Sequence, residues 1–159
     1  MKHIFWLIQD QLCGRPGPNH QPWDAGELQS AGIGAVLSVN NADSVYADDF
    51  SAIGMSHNCI PLADNAPPRE GDLALCIKQL PLAYRFVKDE IESGHAVLIH
   101  CRQGKDRTGL FMAYFLMKQL GLDSLDAIAR VKAVRPIALT AEGWNPFALE
   151  VLDSCRVSD

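Results

Sequence analysis

The most informative segment of the chain is 97–109, with the sequence Val97-Leu98-Ile99-His100-Cys101-Arg102-Gln103-Gly104-Lys105-Asp106-Arg107-Thr108-Gly109. An apolar run at 96–99 predicts a buried strand, and the apolar residues of 107–120 predict a helix that is buried almost all round. The short loop between them contains Gly104, which allows the backbone to curl tightly. Consecutive amides of such a loop, next to a helix N-terminus, favour a bound anion. The stretch therefore predicts a strand, an anion-binding loop and a helix, in that order.

Two side chains of this loop predict chemistry: Cys101 at its start and Arg107 six positions later. The planar guanidinium of Arg107 can bind two oxygens of a phosphate. The amides, the helix dipole and Arg107 would stabilise Cys101 as a thiolate, and a thiolate that faces a phosphate is a positioned nucleophile. Considered alone, Cys101 would be interpreted as a buried structural cysteine and Arg107 as a surface cation. Their joint spacing around Gly104 favours the phosphate site.

Outside this loop, predicted strands and helices alternate along the chain. We predict strands at 4–8, 12–14, 35–39 and 57–62, and helices at 25–31 (capped by Asp24), 73–80, 81–94, 124–134 and within 141–155. The segment 15–18 is predicted to break regular structure, and the Pro-rich segment 63–71 to form a loop. This order predicts an α/β fold with a central, mostly parallel twisted sheet of about four or five strands flanked by helices.

Composition limits the classes of function. A chain of 159 residues suggests a single domain, 1–159, and its net charge of −5 argues against broad binding to nucleic acid or to anionic membranes. The longest apolar run, Leu110–Met117, is too short to cross a bilayer, and no signal peptide is evident. Five cysteines without paired spacing favour a reducing compartment over disulfides or zinc. We expect a cytoplasmic monomer without stable membrane association, and with no metal or other cofactor.

The motif His100-Cys101-x5-Arg107-Thr108-Gly109 resembles the signature of the cysteine-based protein tyrosine phosphatase superfamily, and the short chain looks like its atypical dual-specificity branch. The resemblance implies a dual-specificity phosphatase fold and hydrolysis of phosphomonoesters through a cysteinyl-phosphate on Cys101. Thr108 would bond the thiolate, and His100 would buttress the loop. The structural alternatives are a threonine that only begins a helix and a satisfied core histidine. The residues implied to bind phosphate are Arg102, Gln103, Gly104, Lys105, Asp106 and Arg107.

The resemblance also implies a general acid, for which there are two candidates. Asp64, three residues before Pro67-Pro68, resembles the acid of small dual-specificity phosphatases. Asp106 matches a position at which myotubularin-like phosphatases carry an aspartate that has been given this role. Asp106 could instead hydrogen-bond the loop from outside.

Towards the C-terminus the chain matches the family at one position and departs from it at another. Arg135, which precedes Pro136, also matches the family. At the final helix, where some relatives carry a glutamine that positions water, this chain has Asn145, which could substitute for it. Trp144 could pack over the pocket, but it is expected to pack in the core.

The expected partner is a phosphorylated protein or a small phosphorylated molecule. We expect a dual-specificity protein phosphatase that prefers phosphotyrosine and also acts on phosphoserine or phosphothreonine. Arg102 and Lys105 resemble basic residues of phosphoinositide phosphatases and of the inositol-pyrophosphate branch, so a phosphoinositide or soluble inositol phosphate is the alternative substrate. A non-catalytic phosphate-binding module and a rhodanese-like sulfur carrier are the competing classes. The intact Cys101 and Arg107 argue against the first, and the Arg107-Thr108 ending and the Asp64 loop against the second.

Overall fold

A computed structural model of the chain describes residues 1–40 and 45–158. Its strands are β1 (Phe5–Ile8), β2 (Leu12–Pro16), β3 (Ile33–Ser38), β4 (Ser56–Cys59) and β5 (Ala96–Cys101). Its helices are α1 (Ala25–Ser30), α2 (Val45–Ala52), α3 (Asp72–Glu92), α4 (Asp106–Leu120), α5 (Ser124–Val134) and α6 (Trp144–Ser158). The strands form one sheet in the order β1-β2-β5-β3-β4, in which only the β1–β2 pair is antiparallel. The predicted α/β fold is confirmed.

The strand that precedes the loop is buried, as predicted, and it is the central strand of the sheet. All six residues of β5 are buried, because β2 and β3 pair with its two edges and helices cover both faces of the sheet. A strand covered on both faces has a continuous apolar sequence rather than an alternating one, which explains the run Val97-Leu98-Ile99. The larger core lies between the sheet and α3–α6, and the smaller one lies under α1 and α2.

One helix replaces the two that the sequence predicted between residues 73 and 94. Pro81 lies inside α3, which runs through it without interruption. Proline was expected to begin a new helix because it lacks an N–H. It is tolerated here because it lies on the exposed side of α3, where water can bond the carbonyl left unpaired. Leu82, the next residue, is 53% exposed, so the sequence suggested a broader buried face for this part of the helix than the structure has: an apolar stripe that included Leu82 was expected, and this is wrong for Leu82.

Tertiary contacts also override two other local predictions. Arg15 and Pro16, predicted to break regular structure, continue β2 and pair with His100 and Cys101 of β5. The strand predicted at 57–62 is β4, which begins at Ser56 and already ends at Cys59. Helix α2 was not predicted, because Phe50 is the only deeply buried residue among 47–52 and no apolar stripe marks the helix.

The parallel strands bring several chain segments to one edge of the sheet. The carboxyl ends of β3, β4 and β5 lie together there, at Ser38, Cys59 and Cys101. In open α/β sheets this edge is where ligands bind. Within residues 1–40 and 45–158, no helix has the length and apolar character that crossing a membrane requires.

Candidate active site

The loop between β5 and α4 depends on a glycine at position 104. Gly104 has a φ of 66°, in the left-handed region that favours glycine. A Cβ atom there would lie 2.7 Å from both the carbonyl carbon and the carbonyl oxygen of Arg15. Since these are backbone atoms of β2, they cannot move aside without disturbing the sheet. The tight curl expected from the sequence is therefore present, and only glycine fits it.

Four successive carbonyl groups of the loop accept hydrogen bonds from the surrounding chain. Their distances are 2.9 Å from the Gly17 amide to Arg102 O, 2.7 and 3.2 Å from the Arg135 guanidinium to Gln103 O and Gly104 O, and 3.2 Å from the Leu139 amide to Lys105 O. In a planar trans peptide, the N–H points away from the C=O of the same unit. The amides of 103–106 therefore face away from these partners, as an anion-binding loop requires.

Arg135 has a structural role that the sequence analysis did not identify. Besides bonding the two loop carbonyls, its guanidinium lies 5.2 Å from the centre of the Phe5 ring. Burial lowers the pKa of Arg135, and the nearby Cys101 opposes that shift. The side chain thus ties the loop to the region where α5 ends, and the family match at Arg135-Pro136 was the one signal of its importance.

Arg15 is a second residue that sequence reasoning missed. It is 3% exposed and donates to the carbonyls of Gln21 (2.7 Å) and Pro22 (3.2 Å). Its guanidinium lies 5.3 Å from the centre of the Trp23 ring, and burial lowers its pKa. Arg15 therefore fixes the segment 17–22, whose Gly17 amide bonds the loop.

Cys101 lies at the floor of the loop, and its side chain has the partner that the resemblance implied. Thr108 Oγ1, in the first turn of α4, donates to Cys101 Sγ at 3.1 Å. Both residues are buried, at 1% and 0% exposure. A hydroxyl donor stabilises the negative sulfur of a thiolate more than a neutral thiol, since hydrogen bonds to charged groups are stronger.

The predicted phosphate-binding arginine and the predicted acid lie side by side. Arg107 Nη1 is 3.3 Å from Asp64 Oδ1, and the two side chains are 17% and 44% exposed. The Arg107 Nε is buried and has no hydrogen-bond acceptor among residues 1–40 and 45–158. A buried N–H without an acceptor is costly, so an oxyanion that approached this guanidinium would be favoured.

The segment that carries Asp64 is anchored to the start of α6. Trp144 Nε1 donates to Asn65 O at 2.9 Å, and the ring is 2% exposed, so Trp144 packs in the core as expected. The preceding Gly143 has a φ of 78°, and a Cβ there would lie 3.0 Å from the Pro67 side chain. Asn145 accepts from Lys132 Nζ at 3.1 Å and so joins α5 to α6. These contacts hold the backbone beside Asp64 while its carboxylate stays exposed.

The other acid candidate faces a different segment. Asp106 Oδ1 accepts from the Ala141 amide at 3.3 Å, and Lys105 Nζ donates to Thr140 Oγ1 at 3.2 Å. Both side chains thus contact 140–141 on the outer side of the loop. This position fits the alternative in which Asp106 makes a hydrogen bond outside the loop rather than acting as the acid. Of the remaining predicted phosphate-binding residues, Arg102 and Gln103 have exposed side chains.

His100 is buried beneath the loop. It is 3% exposed, and burial lowers its pKa to about 4, so the imidazole is neutral at neutral pH. Its Nδ1 lies 3.2 Å from Cys101 O, and its Nε2 lies 2.6 Å from Ser38 Oγ. The Trp23 ring packs edge-on against it at 4.9 Å. A neutral, packed imidazole of this kind supports the backbone of the loop.

Comparison with known proteins identifies the family. Residues 19–145 match the family model described as "Dual specificity phosphatase, catalytic domain". The chain therefore belongs to the dual-specificity phosphatase catalytic domain family, and the predicted resemblance to the cysteine-based tyrosine phosphatase superfamily and its atypical dual-specificity branch is confirmed.

Two curated relatives and one solved structure illustrate this membership. The chain is 32% identical over 74 residues to Dual specificity protein phosphatase 1 of Arabidopsis thaliana. The aligned region covers 46% of this chain and 37% of the relative. The chain is 25% identical over 118 residues to the phosphatidylglycerophosphate phosphatase PTPMT2 of the same organism, covering 73% of this chain and 49% of the relative. The chain thus spans less than half the length of both relatives. The crystal structure of Tk-PTP in the active form has a similar fold, with a TM-score of 0.75, 20% identity and 99% of each chain covered.

Proposed function

We propose that this chain hydrolyses phosphomonoesters through a cysteinyl-phosphate on Cys101. The observation that carries the proposal is the arrangement around the sulfur. The Thr108 hydroxyl bonds Cys101 Sγ, the loop carbonyls are bonded to partners outside the loop, and Arg107 keeps a buried N–H that has no acceptor in the described part of the chain. Phosphoryl transfer needs positioning and charge stabilisation above all, and these groups supply both.

The first step forms the covalent intermediate. The Cys101 thiolate attacks phosphorus, the bond from phosphorus to the ester oxygen breaks, and that oxygen takes a proton from the Asp64 carboxyl group. The loop amides and Arg107 bind the phosphoryl oxygens throughout. Because Asp64 lies 3.3 Å from Arg107, the acid is already beside the group that would hold the phosphate.

The second step regenerates the enzyme. Water attacks phosphorus, the Asp64 carboxylate takes a proton from that water, and the bond from phosphorus to sulfur breaks. Cys101 leaves as a thiolate, and inorganic phosphate is released. The Thr108 hydroxyl favours this departure, because it donates to the sulfur on which negative charge develops.

We assign the general acid role to Asp64 rather than to Asp106. Asp64 pairs with Arg107, whereas the Asp106 carboxylate bonds the Ala141 amide on the outer side of the loop. Asp64→Ala should lower turnover of substrates with poor leaving groups by about 10²–10⁴-fold, and that of p-nitrophenyl phosphate far less, because its leaving group needs no proton and only the second step then lacks Asp64. Asp106→Ala is the matched control. If Asp106→Ala gives that pattern and Asp64→Ala does not, the assignment is wrong.

For the substrate, we propose a phosphorylated protein, with phosphotyrosine preferred and phosphoserine or phosphothreonine also accepted. The family match supports a dual-specificity substrate range. We further propose that the enzyme acts in the cytoplasm as a monomer.

A phosphorylated lipid or inositol is the second candidate substrate. The relative PTPMT2 is named as a phosphatidylglycerophosphate phosphatase, and the exposed Arg102 at the loop offers a cation to a second phosphate. Lys105 is less suited to this role, because it donates to Thr140.

One experiment tests both the activity and the substrate class. Turnover is measured with p-nitrophenyl phosphate, phosphopeptides, phosphatidylglycerophosphate and soluble inositol phosphates, for the wild type, Cys101→Ser and Arg102→Ala. We expect turnover that Cys101→Ser abolishes, with phosphotyrosine peptides preferred and little changed by Arg102→Ala. A loss on lipid or inositol substrates alone in Arg102→Ala, with those substrates preferred, would support the second candidate. Binding of phosphate without turnover would indicate a non-catalytic module, and cyanide–thiosulfate turnover would indicate a sulfur carrier.

A further inference from the structure

A chain of hydrogen bonds runs from the sheet edge to the catalytic loop. His57 Nε2, in β4, lies 3.0 Å from Ser38 Oγ at the end of β3. The same Ser38 oxygen lies 2.6 Å from His100 Nε2, and His100 Nδ1 lies 3.2 Å from Cys101 O. Three neighbouring strands, β4, β3 and β5, each contribute one side chain. These hydrogen bonds connect two histidines that are 43 positions apart in sequence.

The proton positions in this chain follow from the geometry. A neutral imidazole has one N–H, and a carbonyl oxygen can only accept, so the proton of His100 is on Nδ1. His100 Nε2 must then accept, and the single hydroxyl proton of Ser38 is donated to it. Ser38 Oγ can therefore only accept from His57, whose own proton must lie on Nε2. Every donor is used once, and the direction runs from His57 to the carbonyl of Cys101.

We propose that His57 is a positioning residue for the phosphatase site: through the Ser38 hydroxyl it holds His100 in the tautomer that donates to the Cys101 carbonyl. The proposal rests on the proposed function of the Cys101 loop. Neither His57 nor Ser38 belongs to the sequence motif that identifies this loop.

The contact at the end of the chain has a direct consequence for the loop. The Cys101 carbonyl and the Arg102 amide belong to the same planar peptide, so a bond that fixes the carbonyl also fixes the direction of the first loop amide. The chain ends on a carbonyl, which has no proton to give. It therefore orients the peptide and does not relay protons to the sulfur.

Burial makes the hydrogen bonds between His57, Ser38 and His100 difficult to replace. Ser38 is 0% exposed and His100 is 3% exposed, so water cannot easily replace a missing partner. Burial also lowers the pKa values of both histidines, which keeps each imidazole neutral at neutral pH. The His57 ring packs against Phe50 at 5.1 Å, and the His100 ring packs against Trp23. The rings are thus held in place, and the remaining freedom lies in which nitrogen carries each proton.

Long-range ¹⁵N–¹H spectra of the imidazoles test the proposal without substrate. We expect neutral His57 with its proton on Nε2 and neutral His100 with its proton on Nδ1. A His57 proton on Nδ1 would overturn the proposal, whatever the activity of the protein. Absence of turnover in the wild type would refute the proposed function, and the two failures are therefore distinguishable.

Kinetics of four variants provide the second test, with Ile33→Val as the matched control. Ile33 lies in β3 like Ser38, but at the opposite end of the strand and away from the loop. His57→Phe keeps a ring against Phe50 and removes the donor. It should lower kcat about fivefold, as expected for one hydrogen bond, and leave KM within about twofold. His57→Gln, whose amide can donate, should restore kcat to within about twofold of the wild type.

The double variant separates positioning from general stability. Ser38→Ala should lower kcat at least as much as His57→Phe, and the combination should be no worse than Ser38→Ala alone, because His57 acts only through Ser38. Ile33→Val should lower Tm slightly and leave kcat unchanged. Multiplied effects in the double variant, or a His57→Gln as slow as His57→Phe, would overturn the proposal.

Discussion

The burial of His100 predicts a specific acid sensitivity of the folded state. The pKa of this imidazole is lowered from 6.5 to about 4 in the folded protein, chiefly because burial disfavours its charged form. At a pH between these two pKa values, the His100 side chain carries a proton in the unfolded protein but not in the folded one. The free energy of unfolding therefore falls as the pH falls through this window, and above about pH 7 His100 makes no pH-dependent contribution.

The magnitude follows from the shift. One pH unit corresponds to about 1.4 kcal/mol, so the lowering of the His100 pKa corresponds to about 3 kcal/mol between pH 7 and pH 4. The side chain is 3% exposed, so solvent screening reduces this value little. For a domain of ordinary stability, this is a large fraction of the total.

Urea unfolding of the wild type and of His100→Asn, at several values between pH 7 and pH 4, measures the effect. The variant loses hydrogen bonds at every pH, so the test lies in the slope and not in the stability at one pH. The wild type should lose about 3 kcal/mol more than His100→Asn across this range. His3→Asn, which removes an exposed imidazole, is the control and should follow the wild type. Parallel curves for the wild type and His100→Asn would refute the reasoning.

Three further substitutions test the loop and helix α3. Gly104→Ala should lower kcat and vanadate affinity by at least about tenfold, because it combines a positive φ with a clash against Arg15, and near-wild-type inhibition constants would contradict this. Arg135→Met should lower the free energy of unfolding by about 2 kcal/mol, measured in urea, because two loop carbonyls lose a charged donor; an unchanged midpoint would count against it. Pro81→Ala should raise Tm, with a gain of about 1 kcal/mol, because alanine restores a helical hydrogen bond; a lower Tm would show that the proline fits better than we infer.

The sequence predicted those features that depend on neighbouring residues. The apolar run Val97-Leu98-Ile99 and the apolar helix after Arg107 identified the central strand, the loop and α4, because burial on all sides leaves a continuous apolar pattern. Asp24 correctly marked the start of α1, whose Gly26 amide bonds its carboxylate.

The features that the sequence did not predict depend on contacts between distant segments. Arg15 and Pro16 look like a turn locally, yet they pair with His100 and Cys101 of the central strand. The hydrogen bonds from Arg135 to the loop carbonyls join residues about thirty positions apart, and no local pattern predicts them. Pro81 was interpreted from local rules alone, and its exposure on α3 could not be known before the packing was.

The candidate site shows the same division. The spacing of Cys101 and Arg107 and the motif around them predicted the loop, and the resemblance predicted the Thr108 contact. The approach of Asp64 to Arg107 joins residues 43 positions apart, and that of His57 to Ser38 joins two strands. Such contacts depend on which strands become neighbours in the sheet, and the sequence of a single strand does not show this.

Trapping the covalent intermediate tests the central claim most directly. The protein is mixed with p-nitrophenyl phosphate, quenched within the first turnover and digested, and the peptide containing Cys101 is examined by mass spectrometry. We predict one added phosphoryl group on the Cys101 sulfur, absent from Cys101→Ser and more abundant in Asp64→Ala, which hydrolyses the intermediate more slowly. Turnover of the wild type with phosphate never found on Cys101, or found on another residue, would contradict the account.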